Sequence, residues 1–336
     1  MAGLTVNAQR LHRSASVGTW HALAARMKTP KIIVGVDFSP ESDLAARQAV
    51  EVARRIGGEV VLVHAGGTVE LPELSDKASP AGREAFEVYR SGLAAALAAD
   101  REQLTSLRER LAGQGPTVSQ ILSEDFPDTA VCRAAEELGG ELIVVGTHGR
   151  TRLHWFLLGS VAENVVHLST TDVLVARREG AGRGGFRRIL VATDFSPTAE
   201  RALDRALDLA ASGAQVDVFH FLGMRLPAQF YADAPMAPLL PPPDHLELEI
   251  TASARERGAN LLAARQRPGV ELAFQVLPGA PLPSIIHRLE ESPYDLAALG
   301  SHGRRGFRRF VLGSVAEAVV RRAPCSALIA RGRAPA

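Results

Sequence analysis

Several things are scarce in this 336-residue chain. Its two cysteines, Cys132 and Cys325, rule out a disulfide framework, and 35.8 kDa is enough chain to bury a core without one. Both cysteines have apolar neighbours in the sequence, which suits buried, inert thiols. No apolar run approaches the ~20 residues that a membrane-spanning helix requires. Excess charge of one sign is missing too. The 38 Lys and Arg nearly balance the 37 Asp and Glu, so the formal net charge is +1. That gives no global case for nucleic acid or an anionic membrane as partner. No Walker lysine follows a Gly-rich loop, no Gly-x-Gly-x-x-Gly opens a helix after the first strand, and no Gly-x-Ser-x-Gly elbow occurs. No Cys/His cluster has zinc spacing. The sequence therefore assigns no catalytic residue and no metal-ligating side chain. A soluble, cytoplasmic protein is expected.

Acidic residues are absent before Asp37, where Arg10, Arg13, Arg26 and Lys28 are basic. Residues 1–29 read in two ways. One is a targeting or membrane-touching amphipathic segment. The other, preferred here, is a disordered tail or upstream sequence ahead of a natural start at Met27.

What is present is a globular composition, 46% hydrophobic and 22% charged, at a length that suits two domains. Short β-branched apolar runs alternate with helical patterns. The first series has strands at Lys31–Val36, Val60–Val63, Thr117–Leu122, Glu141–Val145 and Asp172–Ala176. Helices are expected after Ser39-Pro40 and over 83–111, 128–138 and 161–168, with a loop over 66–82. The Gly-rich segment 179–186 reads as a linker. The series then restarts, with strands at Arg188–Ala192, Val216–Phe219, 270–277, 295–299 and 325–330. Helices are expected after Ser196-Pro197 and over 245–266, 283–291 and 315–322. The chain is thus read as two domains, 30–178 and 187–332. Alternating β and α elements predict an α/β fold: two similar doubly wound domains, each a five-stranded parallel sheet with helices on both faces. Ligands of such sheets bind beyond the strands' carboxyl ends, where strand order reverses.

Two motifs recur at those ends. Val36-Asp37-Phe38-Ser39-Pro40 is echoed by Thr193-Asp194-Phe195-Ser196-Pro197. Gly146-Thr147-His148-Gly149, nine residues, then Gly159-Ser160 is echoed by Gly300-Ser301-His302-Gly303, nine residues, then Gly313-Ser314. The aspartates are 157 residues apart and the glycines 154, which marks a domain duplication. Glycines let backbone approach closely, and the following helix offers free N–H groups and positive potential, so the pattern reads as two phosphate loops. His64 and His220 end the second strands and read as core or hydrogen-bonded residues. His148 and His302 either donate to a phosphate or brace the loop. Ser160-Val161-Ala162-Glu163 and Ser314-Val315-Ala316-Glu317 also fit capping boxes. Arg150, Arg152, Arg304, Arg305, Arg308 and Arg309 either meet phosphate or form a solvated basic loop.

The aspartate, the strand-two histidine and the Gly-x-x-Gly-x9-Gly-Ser pattern, each present twice, resemble the universal stress protein family. The likeness spans 31–178 and 187–332. It implies an adenine nucleotide, ATP, with Mg²⁺ at its phosphates, in each crevice between the first and fourth strands. Asp37 and Asp194 would lie beside adenine and ribose. Gly146 and Gly300 would admit ribose and α-phosphate. Gly149, Gly159 and Ser160, with Gly303, Gly313 and Ser314, would hold the phosphates, aided by the N–H groups of Val161 and Val315. Ala65 and Phe221 occupy a position that packs on the adenine in the family. The resemblance also implies a regulatory role in stress, read by partner proteins, with slow ATP hydrolysis or self-phosphorylation at most; a structural module with empty loops is the remaining alternative. Val173-Leu174-Val175 would pair with Ala327-Leu328-Ile329 as an intramolecular pseudo-dimer, with a homodimer as a further assembly. Ala162 and Ala316 depart from the family's frequent hydroxyl there. Because of Phe221, the first copy is favoured for ATP.

Overall fold

The computed structural model describes residues 29–66, 79–149, 158–177, 185–223, 244–303 and 312–332. The 1–28 part of the N-terminal extension, the arginines between the loop glycines, linker residues 179–184 and the Pro-rich 227–243 stretch lie outside the described residues.

Copy one runs β1 (Lys31–Val36), α1 (Pro40–Ile56), β2 (Glu59–Ala65), α2 (Pro80–Ala112), β3 (Val118–Ser123), α3 (Pro127–Leu138), β4 (Leu142–Gly146), α4 (Ser160–Leu168) and β5 (Asp172–Ala176). Copy two runs β6 (Phe186–Ala192), α5 (Pro197–Leu209), β7 (Ala210–Leu222), α6 (Asp244–Ala263), β8 (Val270–Pro278), α7 (Pro281–Glu291), β9 (Leu296–Gly300), α8 (Ser314–Arg322) and β10 (Ser326–Ala330).

The strands form one ten-stranded sheet in the order β3-β2-β1-β4-β5-β10-β9-β6-β7-β8. Every pairing is parallel except β5 with β10. There Val173, Leu174 and Val175 face Ile329, Leu328 and Ala327 in antiparallel register, the pairing anticipated from the sequence. The two expected five-stranded sheets are therefore halves of one. Leu174 faces its own counterpart, Leu328, so a pseudo-twofold axis passes between them. In each copy the chain adds strands on one side of β1 or β6 and then returns to the other. The reversal points lie between β1 and β4 and between β6 and β9.

Strands buried on both faces read as continuous apolar runs, as KIIVGV of β1 does. Two apolar layers sandwich the sheet. One contains α1, α2, α5 and α6 residues with Leu174 and Leu328. The other contains α3, α4, α7 and α8 residues with Val173 and Ile329. Both layers are continuous across the seam.

Three elements differ from expectation. Helix α2 starts at Pro80, inside the expected loop, because Ser79 caps it by accepting from Gly82 N at 3.1 Å. Strand β6 starts at Phe186, which is fully buried and pairs with Ala210. Strand β7 consequently begins straight after α5, well ahead of the expected Val216, and runs 13 residues through Ser212 and Gly213. A register shift between Phe186 and Arg188 absorbs the extra length.

Candidate functional site

Each site starts where β1 or β6 ends. Phe38 and Phe195, the residues after the two aspartates, adopt φ of 63° and 59°. A bulky side chain in the left-handed region is strained by about 1–2 kcal/mol, and the strain occurs at both matching positions. It turns the chain so that Ser39 and Ser196 cap α1 and α5. It also points each aspartate back over its own turn. Asp37 Oδ1 accepts from Ser39 N at 3.1 Å and Ser39 Oγ at 2.6 Å. Asp194 Oδ1 accepts from Ser196 N at 3.0 Å.

The other carboxylate oxygen meets the glycine loop. A Cβ on Gly149 would stand 2.5 Å from Asp37 Oδ2, and one on Gly303 2.9 Å from Asp194 Oδ2. A side chain there would have to displace the carboxylate. Gly146 and Gly300 have a different duty. A Cβ on Gly146 would sit 2.8 Å from the Glu41 carbonyl, and one on Gly300 2.7 Å from Ala199 N. These glycines let the first turn of α1 or α5 lie against the end of β4 or β9. Gly159 N donates to Thr147 O at 2.7 Å and Gly313 N to Ser301 O at 2.8 Å, which closes each loop into a ring.

The capping boxes are not formed. Gly159 and Gly313 occupy the N-cap positions with no side-chain cap bond. Ser160 and Ser314 are the first helical residues, with exposed side chains. The ring closure through the glycine N–H brings the helix in one residue earlier than the Ser-x-x-Glu spacing suggests. Among the described residues, no N-cap side chain bonds the first-turn N–H groups of α4 and α8.

His148 Nδ1 lies 3.0 Å from Thr147 Oγ1 and His302 Nδ1 2.9 Å from Ser301 Oγ. In both rings Nε2 is buried and bonds no described residue. These contacts brace the loops. Burial, with a further push from the Arg331 guanidinium, lowers the His302 pKa from its ordinary 6.5. His64 Nδ1 donates to Val36 O at 2.7 Å and His220 Nδ1 to Thr193 O at 2.8 Å, so both are hydrogen-bonded strand-end residues. Each ring lies tilted against its strained phenylalanine, with centroids 4.4 Å apart for Phe38–His64 and 4.8 Å for Phe195–His220.

Each arrangement surrounds a cavity of about 310 Å³. The first is lined by Asp37, Ala65, Gly146, His148, Gly149, Gly159, Ser160 and Val161. The second is lined by Asp194, Phe221, Gly300, His302, Gly303, Gly313, Ser314 and Val315. All sixteen candidate residues thus converge in two matching groups. Sequence reasoning missed the walls made by Pro127 and Val131 of α3 and by Pro281 and Ile285 of α7. Their signal was the same 154-residue offset that relates the glycines. It also missed Thr198, whose hydroxyl donates to His302 O at 2.6 Å. Cys132, next to Val131 on α3, is not a reactive thiol: burial, then Asp128 and Glu136, push its thiol up to about 11.

A sequence profile described as the universal stress protein family matches residues 28–177 and again 185–331. The chain belongs to the universal stress protein family, as a tandem two-domain member. It is 35% identical over 158 residues to a universal stress protein of Mycobacterium tuberculosis, an alignment covering 44% of this chain and 45% of that one. The alignment thus spans about half the length of that relative. A universal stress protein of Mycolicibacterium smegmatis matches at 26% identity over 312 residues, 90% of this chain and 97% of that one. Among solved structures, a universal stress protein from Archaeoglobus fulgidus superposes with a TM-score of 0.62 at 22% identity, covering 90% of this chain and 98% of that one. That likeness supports the fold. Among the described residues, no helix is long and apolar enough to cross a membrane.

Proposed function

We propose that each copy binds an adenine nucleotide, ATP with Mg²⁺, and that the protein acts as a nucleotide-dependent regulator in a stress response. One observation carries the reading. The same cradle is built twice at a strand-order reversal, with a carboxylate held against a glycine-limited loop and an uncapped helix start facing a cavity. The α4 and α8 N-termini and the loop backbone suit phosphates. Asp37 and Asp194 suit ribose hydroxyls. The apolar wall with Ala65 or Phe221 suits a base.

The described residues fit a metal that arrives with the phosphates. Positions 162 and 316 are alanine, and among the described residues no group of three metal-ligating side chains lines either cavity. Mg²⁺ would supply charge neutralisation at the phosphates when bound. The chain's own part is to orient the triphosphate and keep the base dry.

Calorimetric titration of the full chain with ATP and Mg²⁺ tests this. Two sites are expected in the wild type and one in either Asp37→Ala or Asp194→Ala. No heat of binding at millimolar ATP, together with no nucleotide in the mass spectrum of heat-denatured purified protein, overturns it.

A further inference from the structure

Outside the two cavities, the described residues gather one set of metal-ligating side chains. Glu163 and His167 stand one turn apart on α4, and Glu317 stands on α8. One ligand atom from each lies within 4.8 Å of the others, and all three residues are half-buried. Positions four apart on a helix share a face. The β5–β10 pairing turns the corresponding face of α8 towards it, since Glu317 is the counterpart of Glu163, 154 residues on.

A cation position already exists between these carboxylates. The counterpart of His167 is Arg321, whose guanidinium bonds Glu163 and lies 3.0 Å from Glu317. Arg321 is 46% exposed on a long stem and can turn out to solvent. The His167 imidazole makes no hydrogen bond or ion pair with any described residue. The guanidinium spends its donors on the two carboxylates and leaves the His167 imidazole unused. A metal ion uses all three.

We propose that Glu163, His167 and Glu317 bind one divalent transition-metal ion of the zinc class, which ties the two copies together at their pseudo-twofold axis. One imidazole and two carboxylates, with water in the fourth place, match zinc's ligand preferences. The imidazole disfavours Mg²⁺ and Ca²⁺, which take oxygen. Arg321 is the competitor, and removing it tightens the site. The proposal is independent of nucleotide binding, because none of these residues lines either cavity.

The experiment is calorimetric titration of Zn²⁺ into chelator-stripped, nucleotide-free full-length protein with excess Mg²⁺ present. One Zn²⁺ per chain is expected. His167→Ala and Glu317→Gln each weaken it by at least about tenfold, and Arg321→Ala strengthens it by a comparable factor. Co²⁺ provides a second readout on the wild type and the half-exposed Arg321→Ala variant: visible absorption bands of nitrogen–oxygen ligation, stronger at equal Co²⁺ in the variant. A chain that takes no Zn²⁺ overturns the proposal. So does a Zn²⁺ isotherm unchanged in His167→Ala and Glu317→Gln, which marks an adventitious ion only, or an Arg321→Ala variant no tighter than the wild type.

Discussion

The two copies share a frame and differ in what lines it. Both place a strained phenylalanine after the aspartate, a serine cap two residues on, and glycines where a Cβ would strike the aspartate or the first helical turn. Elsewhere they part. Where copy one has Ala65, copy two has Phe221. Phe221 is 7% exposed and stacks on Phe219 with centroids 6.0 Å apart. The cavities nonetheless have equal volume, about 310 Å³, so Phe221 packs into the wall without closing the space. Behind the phenylalanine–histidine pair, copy one has Asp100, 3.5 Å from His64 Nε2, whereas copy two has Arg257, 4.2 Å from the Phe195 ring centre. On the first turn of α1, Glu41 stands where α5 has Thr198, which bonds the loop. Positions fixed by backbone geometry are the same in both copies. Positions that govern only shape and charge have diverged.

The seam gives the sharpest test of that difference. Asp172 is fully buried, with Arg201 Nη2 and Arg205 Nε both at 2.8 Å and Arg331 N also at 2.8 Å. Its counterpart, Ser326, sits in the equivalent place with Arg177 N at 3.0 Å and Gln48 Oε1 at 3.4 Å. Asp172→Ala removes the carboxylate bonded to Arg201 and one of those bonded to Arg205, which keeps Glu141 at 3.0 Å, and should cost about 3 kcal/mol in urea unfolding. Ser326→Ala should cost about 1 kcal/mol. Equal losses would mean that the two sides of the seam are not energetically distinct.

Smaller effects are expected at the glycines. Gly146→Ala and Gly300→Ala force a Cβ onto the first turn of a helix and should each cost about 1–3 kcal/mol by overpacking. Each should abolish ligand binding in its own copy and spare the other. Loss at both sites from one substitution would show that the copies are coupled and not independent.

The smallest effect is expected at His302. A histidine whose folded pKa lies below its unfolded 6.5 binds fewer protons folded than unfolded in that window. Its favourable contribution is present above pH 6.5 and is lost as pH falls below it. The melting temperature should therefore drop below pH 6.5, and His302→Gln should flatten the profile. Identical slopes in the two proteins would remove the histidine from the explanation.

Most of the fold was legible because strands buried on both faces have no polar positions to confuse the pattern. Ser-Pro at the first helical turn marked the starts of α1 and α5, whereas Pro80, Pro127 and Pro281 open helices that were expected to begin one to three residues later. The misreadings differ in cause. Phe186 and Ala210 take their roles from each other across the sheet, which a local pattern does not include, whereas Ser79-Pro80 carries the same local cap signal as Ser39-Pro40 within the expected loop. The candidate site was legible from spacing, since glycines and aspartates recur at one offset. What each glycine does was not. Gly149 reads as a phosphate residue, yet its nearest constraint is Asp37, 112 residues upstream. Ser160 fits a capping box by spacing, and only the bond from Gly159 N to Thr147 O removes that role. The Asp172 cluster was hidden altogether, because Arg201 and Arg205 belong to the other copy.

Joining β5 to β10 within one polypeptide has a consequence for inheritance. In a dimer of identical chains, every substitution beside the twofold axis is made twice, and a buried charge there meets its own duplicate. Here each position beside the axis is encoded once. Asp172 can acquire two arginines while Ser326 keeps a hydroxyl, and His167 can stand opposite Arg321. The covalent link also keeps the pair at fixed proximity however dilute the protein becomes. One gene thereby maintains two inequivalent half-molecules, free to change one at a time.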